Sequence, residues 1–223
     1  MSGTKLLVMT YNIHSGKDIN GRYSLDKIIK FIQCVSPDVL ALQEINENRV
    51  RGFQISQIKR ELNYYLHFGS NMELHGGQYG IATLTKLPII KKEHIILPSL
   101  MEQRGMIHST IFIEDQNINI YNTHLGLSNL ERYGQLNIIN KFIKKHSLKS
   151  NPPILLLGDF NTTMPLYNRS LLYDTDTHGL PTIIGFDKKI DYILVSHHIK
   201  VLNFEVIKVE YSDHFPLLAE IVI

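Results

Sequence analysis

The chain has 223 residues, enough for one substantial core. Its 23 Lys+Arg against 21 Asp+Glu leave a formal charge of +2, no strong global electrostatic signature of nucleic-acid binding, though a locally basic face is not excluded. One cysteine, Cys34, excludes an intramolecular disulfide, and no apolar run approaches membrane-spanning length. The segment 1–4 leads into a strand-like stretch without an apolar leader. A soluble, cytoplasmic protein is expected, monomeric by default, with the Cys34 thiol buried in a helix.

Residues 6–11 read as a buried strand ending in the turn-rich tip Asn12-Ile13-His14-Ser15-Gly16. Ser24 suits a helix N-cap, and Leu25, Ile28, Ile29, Ile32 and Val35 follow at helical spacing until Pro37. Residues 39–42 form a second short strand that delivers Gln43 and Glu44 at its end, completing a β-α-β unit. A helix over 55–62 is followed by strands at 64–68, 81–85, 89–97 and 107–114, several alternating in polarity as antiparallel strands do. Two loops interrupt them: a polar, glycine-rich stretch over 71–80 with His75, and residues 98–105 with Glu102 and Arg104.

A strand over 119–121 ends in Asn122-Thr123-His124-Leu125-Gly126. The helix after it has Leu130, Tyr133, Leu136, Ile139, Phe142 and Ile143 on its predicted buried side, with Lys144, Lys145 and His146 in the last turn, where cations suit the dipole. Residues 152–161, Pro-Pro-Ile-Leu-Leu-Leu-Gly-Asp-Phe-Asn, hold four consecutive apolar residues and so predict a strand buried on both faces. It delivers Asp159 and Asn161 at its carboxyl end, where α/β sheets place ligands, although the same pair would also serve as an Asx turn. Residues 162–189 are irregular, with a short helix expected near Leu171, before strands at 189–195, 201–209 and 215–223. Ser212-Asp213-His214 introduces the last strand, and no linker divides the single domain 1–223.

The tip Tyr11-Asn12-x-His14-x-Gly16 recurs as Tyr121-Asn122-x-His124-x-Gly126. Each copy is followed by a helix, a proline, an apolar strand and an acid, Glu44 or Asp159. Two related β-α-β halves on opposite sheets would bring Asn12, Glu44, His124 and Asp159 to one mouth.

The set Tyr11-Asn12, Leu42-Gln43-Glu44, Asn122-Thr123-His124-Leu125, Gly158-Asp159-Phe160-Asn161, Ile190-Asp191-Tyr192 and Ser212-Asp213-His214 closely resembles the endonuclease/exonuclease/phosphatase superfamily, in order and over nearly the whole chain. The resemblance implies a four-layer α/β sandwich, two mixed β-sheets packed face to face with helices outside. It also implies phosphodiester hydrolysis with Mg2+, Mn2+ being a possible substitute. Such chemistry needs a positioned water, neutralised phosphoryl oxygens and a stabilised leaving alkoxide. On this resemblance Glu44 is a metal ligand, Asp213 a second one directly or through water, and Asn12 holds a water of the metal's shell. Asp159 orients and deprotonates the attacking water, and Asn161 fixes Asp159 and the phosphate. His214, polarised by Asp191, bonds the phosphoryl oxygen as charge builds. His124 steadies the phosphate or assists the leaving group, Arg104 adds positive charge, and His14 sits where relatives carry a polar residue near the metal.

Other chemistries lack their spacings. No Gly-x-Ser-x-Gly elbow, Walker A loop or Gly-x-Gly-x-x-Gly is present, and consecutive Ser212, Asp213 and His214 cannot converge as a triad. The eleven histidines include no His-Glu-x-x-His, and His75 and His108 read as structural or solvated. The substrate stays open between a nucleic acid and a small-molecule or phospholipid phosphoester. A non-catalytic binding module on the same fold is the third reading.

Overall fold

The computed structural model describes residues 3–147 and 151–223, so Met1 and Ser2, read above for a leader, lie outside the described residues. Two sheets form the centre. The first has the order β12 (Lys200–Val206), β13 (Leu217–Val222), β1 (Lys5–Asn12), β2 (Val39–Asn48), β5 (Gly77–Thr85) and β4 (Tyr65–Leu74), with short β3 (Gly52–Phe53) pairing β2. The second runs β10 (Leu172–Asp174), β11 (Asp191–Ser196), β9 (Ile154–Asp159), β8 (Gln116–His124), β7 (Arg104–Ile113) and β6 (Ile89–Leu97).

Alternation along the strands decides the layers. Leu6, Val8, Val39 and Ala41 of the first sheet meet Ile118, Ile120, Leu155 and Leu157 of the second in one shared core. The opposite faces are covered by helices. Met9, Tyr11, Leu40 and Leu42 pack against α1 (Leu25–Val35) and α2 (Gln54–Glu61), while Tyr121, Ile154 and Leu156 pack against α3 (Asn129–Ser147). The result is the expected four-layer α/β sandwich. The two β-α-β halves lie on opposite sheets, each with a parallel strand pair: Tyr11 beside Leu42 in one, Tyr121 beside Leu156 in the other.

Several local expectations are corrected. The stretch 71–80 is not a loop: β4 and β5 continue through it and turn at His75-Gly76, where both residues have positive φ, the backbone a tight two-residue hairpin needs. Arg104 opens β7 instead of sitting in a loop. Leu130 and Tyr133 face solvent, because the buried stripe of α3 runs through Glu131, Gln135, Leu136, Ile139 and Ile143. Cys34 is exposed, since two residues past buried Ile32 is the far side of a helix. The segment near Leu171 turns into strand β10 and forms no helix. Among the described residues, no helix is long and apolar enough to cross a membrane.

Candidate active site

The shared core runs out at one end of the sandwich, and the same strand faces that carry it carry polar residues there. Asn12 continues the inward row Leu6, Val8; His124 continues Ile118, Ile120; Asp159 continues Leu155, Leu157; Asp191 precedes Ile193, Val195. A period of two therefore aims all four side chains at one point between the sheets. Register brings them level, with His124 beside Asp159 in β8–β9 and Asp191 opposite Asp159 in β9–β11.

Glu44 reaches the same point by a different device. Simple alternation after Gln43 would turn it outward toward α1. Instead β2 has a bulge between Leu42 and Ile45, and Glu44 takes φ +59°. A non-glycine residue in that conformation costs about 1–3 kcal/mol, which the surrounding ladder sustains. The equivalent register position in the other half is Gly158, with φ +138°. A Cβ there would lie 1.9 Å from the Thr123 carbonyl oxygen, so only glycine fits.

Asn12 joins the halves. Its Nδ2 donates to Glu44 Oε1 (3.0 Å) and Asp159 Oδ2 (3.1 Å), and its Oδ1 accepts the His14 N–H (3.0 Å). The amide thus presents nitrogen, not oxygen, to the two acids. Asp159 Oδ1 accepts the Asn161 backbone N–H (2.8 Å), an Asx turn, while the Asn161 side chain donates to the Leu125 carbonyl (2.9 Å). So the turn and the site coincide at Asp159. Burial first, then the neighbouring Asp191 charge, pushes the Asp159 carboxyl up to about 7. Burial also raises Glu44, with the Asp213 charge adding to it.

His214 and Asp191, 23 positions apart in sequence, are a bonded pair: Nδ1–H donates to Asp191 Oδ2 at 2.9 Å. The pairing depends on segment 182–184, which bonds back onto 213–215 through Ile184 N to the Asp213 carbonyl (2.8 Å) and Phe215 N to the Thr182 carbonyl (2.7 Å). Thr182, fully buried, donates its hydroxyl to Asp191 Oδ2 (2.6 Å). Sequence reading missed it, and an irregular stretch gives no periodicity that would mark it. Burial disfavours the charged His214 ring, but Asp191 and then Asp159 outweigh it and raise the ring to about 10. Its Nε2 points at Asp159 Oδ2, 3.7 Å away.

His124 is held in the opposite state. Arg104, only 4% exposed, donates Nη1–H to His124 Nδ1 (2.9 Å) and pairs with Glu102. A guanidinium has no acceptor, so Nδ1 must be the bare nitrogen and Nε2 carries the proton toward Asp159 Oδ2 (3.4 Å). Burial, and after it the Arg104 charge, keeps the ring well below its ordinary value and neutral. Two imidazoles thus flank one carboxylate, one cationic and one neutral.

His14 and Asp213 sit at the rim, Nδ1 3.5 Å from Oδ1. Ser212 ties that segment to β1 by donating its hydroxyl to the Asn12 carbonyl (2.7 Å). A cleft of about 450 Å³ opens beside Glu44, lined by His14, Lys17, Arg51, Tyr79 and Glu102 among others. Glu44 suits a divalent cation: among the described residues no lysine or arginine pairs with it, and its one bonded donor is the Asn12 amide. With Asp213 close enough to raise it, the donor set is carboxylate oxygen, the chemistry of Mg2+ or Mn2+.

The two-sheet sandwich thus gathers acids and imidazoles at the open end of its shared core. Residues 9–214 match the model of the Endonuclease/Exonuclease/phosphatase family, and the chain belongs to that family. Among solved structures it is similar to an endonuclease/exonuclease/phosphatase from Beutenbergia cavernae (TM-score 0.82, 20% identity, 98% of this chain and 72% of that one). It is equally similar to the mannosyl-6-phosphatase Bt3783 of Bacteroides thetaiotaomicron (0.82, 19%, 98% and 100%). A humanized D. rerio TDP2 superposes at 0.78 with 15% identity over 98% and 99% of the two chains. Among curated proteins it is similar to Protein cwh43 of Schizosaccharomyces pombe, 28% identical over 154 residues, a match covering 66% of this chain but 15% of that protein.

Proposed function

We propose that the chain is a divalent-metal-dependent phosphoester hydrolase in which Asp159 takes the proton of the attacking water. The observation that carries this is the Asp159 carboxylate held between a cationic His214 and a neutral His124 at the mouth of the inter-sheet core. A carboxyl raised to about 7 is a far stronger base than an exposed one and is still ionised in part at neutral pH. Asn12 and the Asn161 N–H fix both of its oxygens. Glu44 and Asp213 would hold Mg2+ or Mn2+, which supplies charge neutralisation for the phosphoryl group. His214 Nε2–H donates to the phosphoryl oxygen as negative charge develops there, and Asp191 with Thr182 keeps that ring charged and aimed. The water oxygen bonds to phosphorus, the ester P–O bond breaks and the alkoxide departs. Lys17, Arg51 and His14 along the cleft suit an anionic substrate.

Between the two substrate readings, nucleic acid and a small-molecule or phospholipid phosphoester, one observation favours the second, in its phospholipid form. Leu100, Met101 and Leu127 line a second cleft of about 570 Å³ together with Arg104 and Gly126, immediately beside His124. Met101 is 89% exposed, and Leu130, Tyr133, Met164 and Leu166 extend the apolar surface beyond it. Exposed apolar groups gathered at a catalytic mouth mark a site for apolar contact. Hydrolysis of a phospholipid in mixed micelles, single-stranded DNA, abasic duplex DNA and an aryl phosphodiester, each with Mg2+ or Mn2+, tests both parts. No metal-dependent turnover of any of them would refute the hydrolase reading, and preference for either DNA would refute the apolar one.

A further inference from the structure

Outside the catalytic end, one group of side chains has no role in the chemistry above. Glu93 on β6 and His108 on β7 are register partners, and His146 reaches them from the last turn of α3. They lie between the second sheet and its helix, where His108 stacks on Tyr121 with ring centroids 4.5 Å apart and meets Phe142 edge-on.

The hydrogen bonds decide which nitrogens are bare. His108 Nε2 lies 2.9 Å from Asn119 Oδ1, which also accepts the Thr110 hydroxyl at 3.0 Å, so Nε2 carries hydrogen. His146 Nδ1 lies 2.9 Å from the Phe142 carbonyl oxygen, an acceptor only, so Nδ1 carries hydrogen there. A ring carrying a single N–H spends it away from Glu93. The remaining lone pairs, on His108 Nδ1 and His146 Nε2, face Glu93 Oε2 at 2.7 and 3.8 Å. The 2.7 Å contact between His108 Nδ1 and Glu93 Oε2 requires either a proton or a metal ion between the two atoms. His108 is 1% exposed, an environment that disfavours an imidazolium. Lys91 Nζ, on a half-exposed side chain, also contacts Glu93 Oε2 (2.8 Å).

We propose that Glu93, His108 and His146 form a binding site for a zinc-class transition metal, separate from the catalytic metal. Two imidazole nitrogens and a carboxylate oxygen are the three-ligand set of an open tetrahedral zinc centre, whose fourth position takes water. Ligand atoms around such a centre stand about 3.3 Å apart, and 2.7 and 3.8 Å bracket that value. The second nitrogen of each ring is already bonded to an oxygen acceptor, the arrangement that fixes metal-bound histidines. Glu93 and His146 remain partly exposed, leaving a path for the ion. Bound metal ties the end of α3 to the β6–β7 hairpin. The three ligands come from distant positions, so no short zinc spacing appears in the sequence.

The test uses the full metal-free chain and zinc in competition with a chromophoric chelator, with cobalt(II) absorption as a second readout. The wild type should take up one tight equivalent that raises its Tm, and cobalt should give tetrahedral visible bands. Glu44→Gln should keep that site. His146→Gln, at a partly exposed helix end, should weaken it by about 100-fold or more, and Glu93→Gln should weaken it too, both with magnesium-dependent turnover unchanged. Absence of a tight zinc in the wild type, wild-type affinity retained in either ligand variant, or loss of the tight site in Glu44→Gln would each overturn the assignment.

Discussion

Asp191→Asn removes one negative charge 2.9 Å from His214 Nδ1 and keeps the side chain's shape. With its amide oxygen in the place of Oδ2, asparagine still accepts from both His214 and Thr182, so what is lost is charge. Raising an imidazole from 6.5 to about 10 corresponds to roughly 5 kcal/mol in favour of the imidazolium. Asp191 is the largest contributor opposing burial, with Asp159 second. A single close opposite charge is worth about 1–3 pH units. His214 in the variant should therefore titrate between about pH 7 and 9. With a drop of about two units, only about a quarter of the rings stay protonated at about pH 8.5, against nearly all in the wild type. NMR titration of the imidazoles in metal-free protein reads this directly. The alkaline limb of the rate profile should move down with it, because neutral His214 is a weaker donor to the phosphoryl oxygen. The acid limb should move down as well, since Asp191 is also the largest charge raising Asp159. In a double-mutant cycle, removing Asp191 after His214→Ala should cost little more. An unmoved His214 titration, or independent addition of the two losses, would show that the pair does not work as a unit.

Other outcomes follow from the same geometry. Glu44→Gln should weaken Mg2+ binding and recover partly at higher metal, whereas Asp159→Asn should leave metal affinity nearly intact and lower the rate by about 100-fold or more; calorimetry beside initial rates separates the two, and the reverse pattern would exchange their roles. Asp159 and His214 both have folded values above their ordinary ones, about 7 and about 10, so each favours the fold while protonated and loses that contribution as pH rises. Glu44 is raised in the same direction. Above about pH 7, where the histidines that burial lowers no longer titrate, metal-free protein should thus lose stability in denaturant melts up to about pH 10, and magnesium should offset the loss. Gly158→Ala should cost about 3 kcal/mol or more, because the methyl group meets the Thr123 carbonyl and the φ is disfavoured; an unchanged midpoint would mean that β8 can shift. Met101→Ser with Leu127→Ser should lower turnover of micellar phospholipid and spare a soluble aryl phosphodiester, and an equal loss on both would remove the apolar rim from substrate binding.

What the sequence by itself determined is periodic. Four apolar residues before Gly158-Asp159 marked a strand buried on both faces, and the doubled Tyr-Asn-x-His-x-Gly tip marked two β-α-β halves with their polar ends at one mouth. Asn12, His124 and Asp159 were legible for that reason: each continues an inward row of its own strand. Tertiary structure decided the rest. Alternation does not predict the bulge that turns Glu44 inward, because its positive φ is sustained by the neighbouring strands and not by local preference. Asp191 and His214 become a pair only when segment 182–184 folds onto 213–215, and Thr182 gains its role only there. The helical pattern of α3 placed Leu130 and Tyr133 inside, yet the face that packs inward carries Glu131, Gln135, Leu136, Ile139 and Ile143, and both were left exposed. Periodicity records which positions of an element are apolar, whereas only the packed partner decides which face is covered.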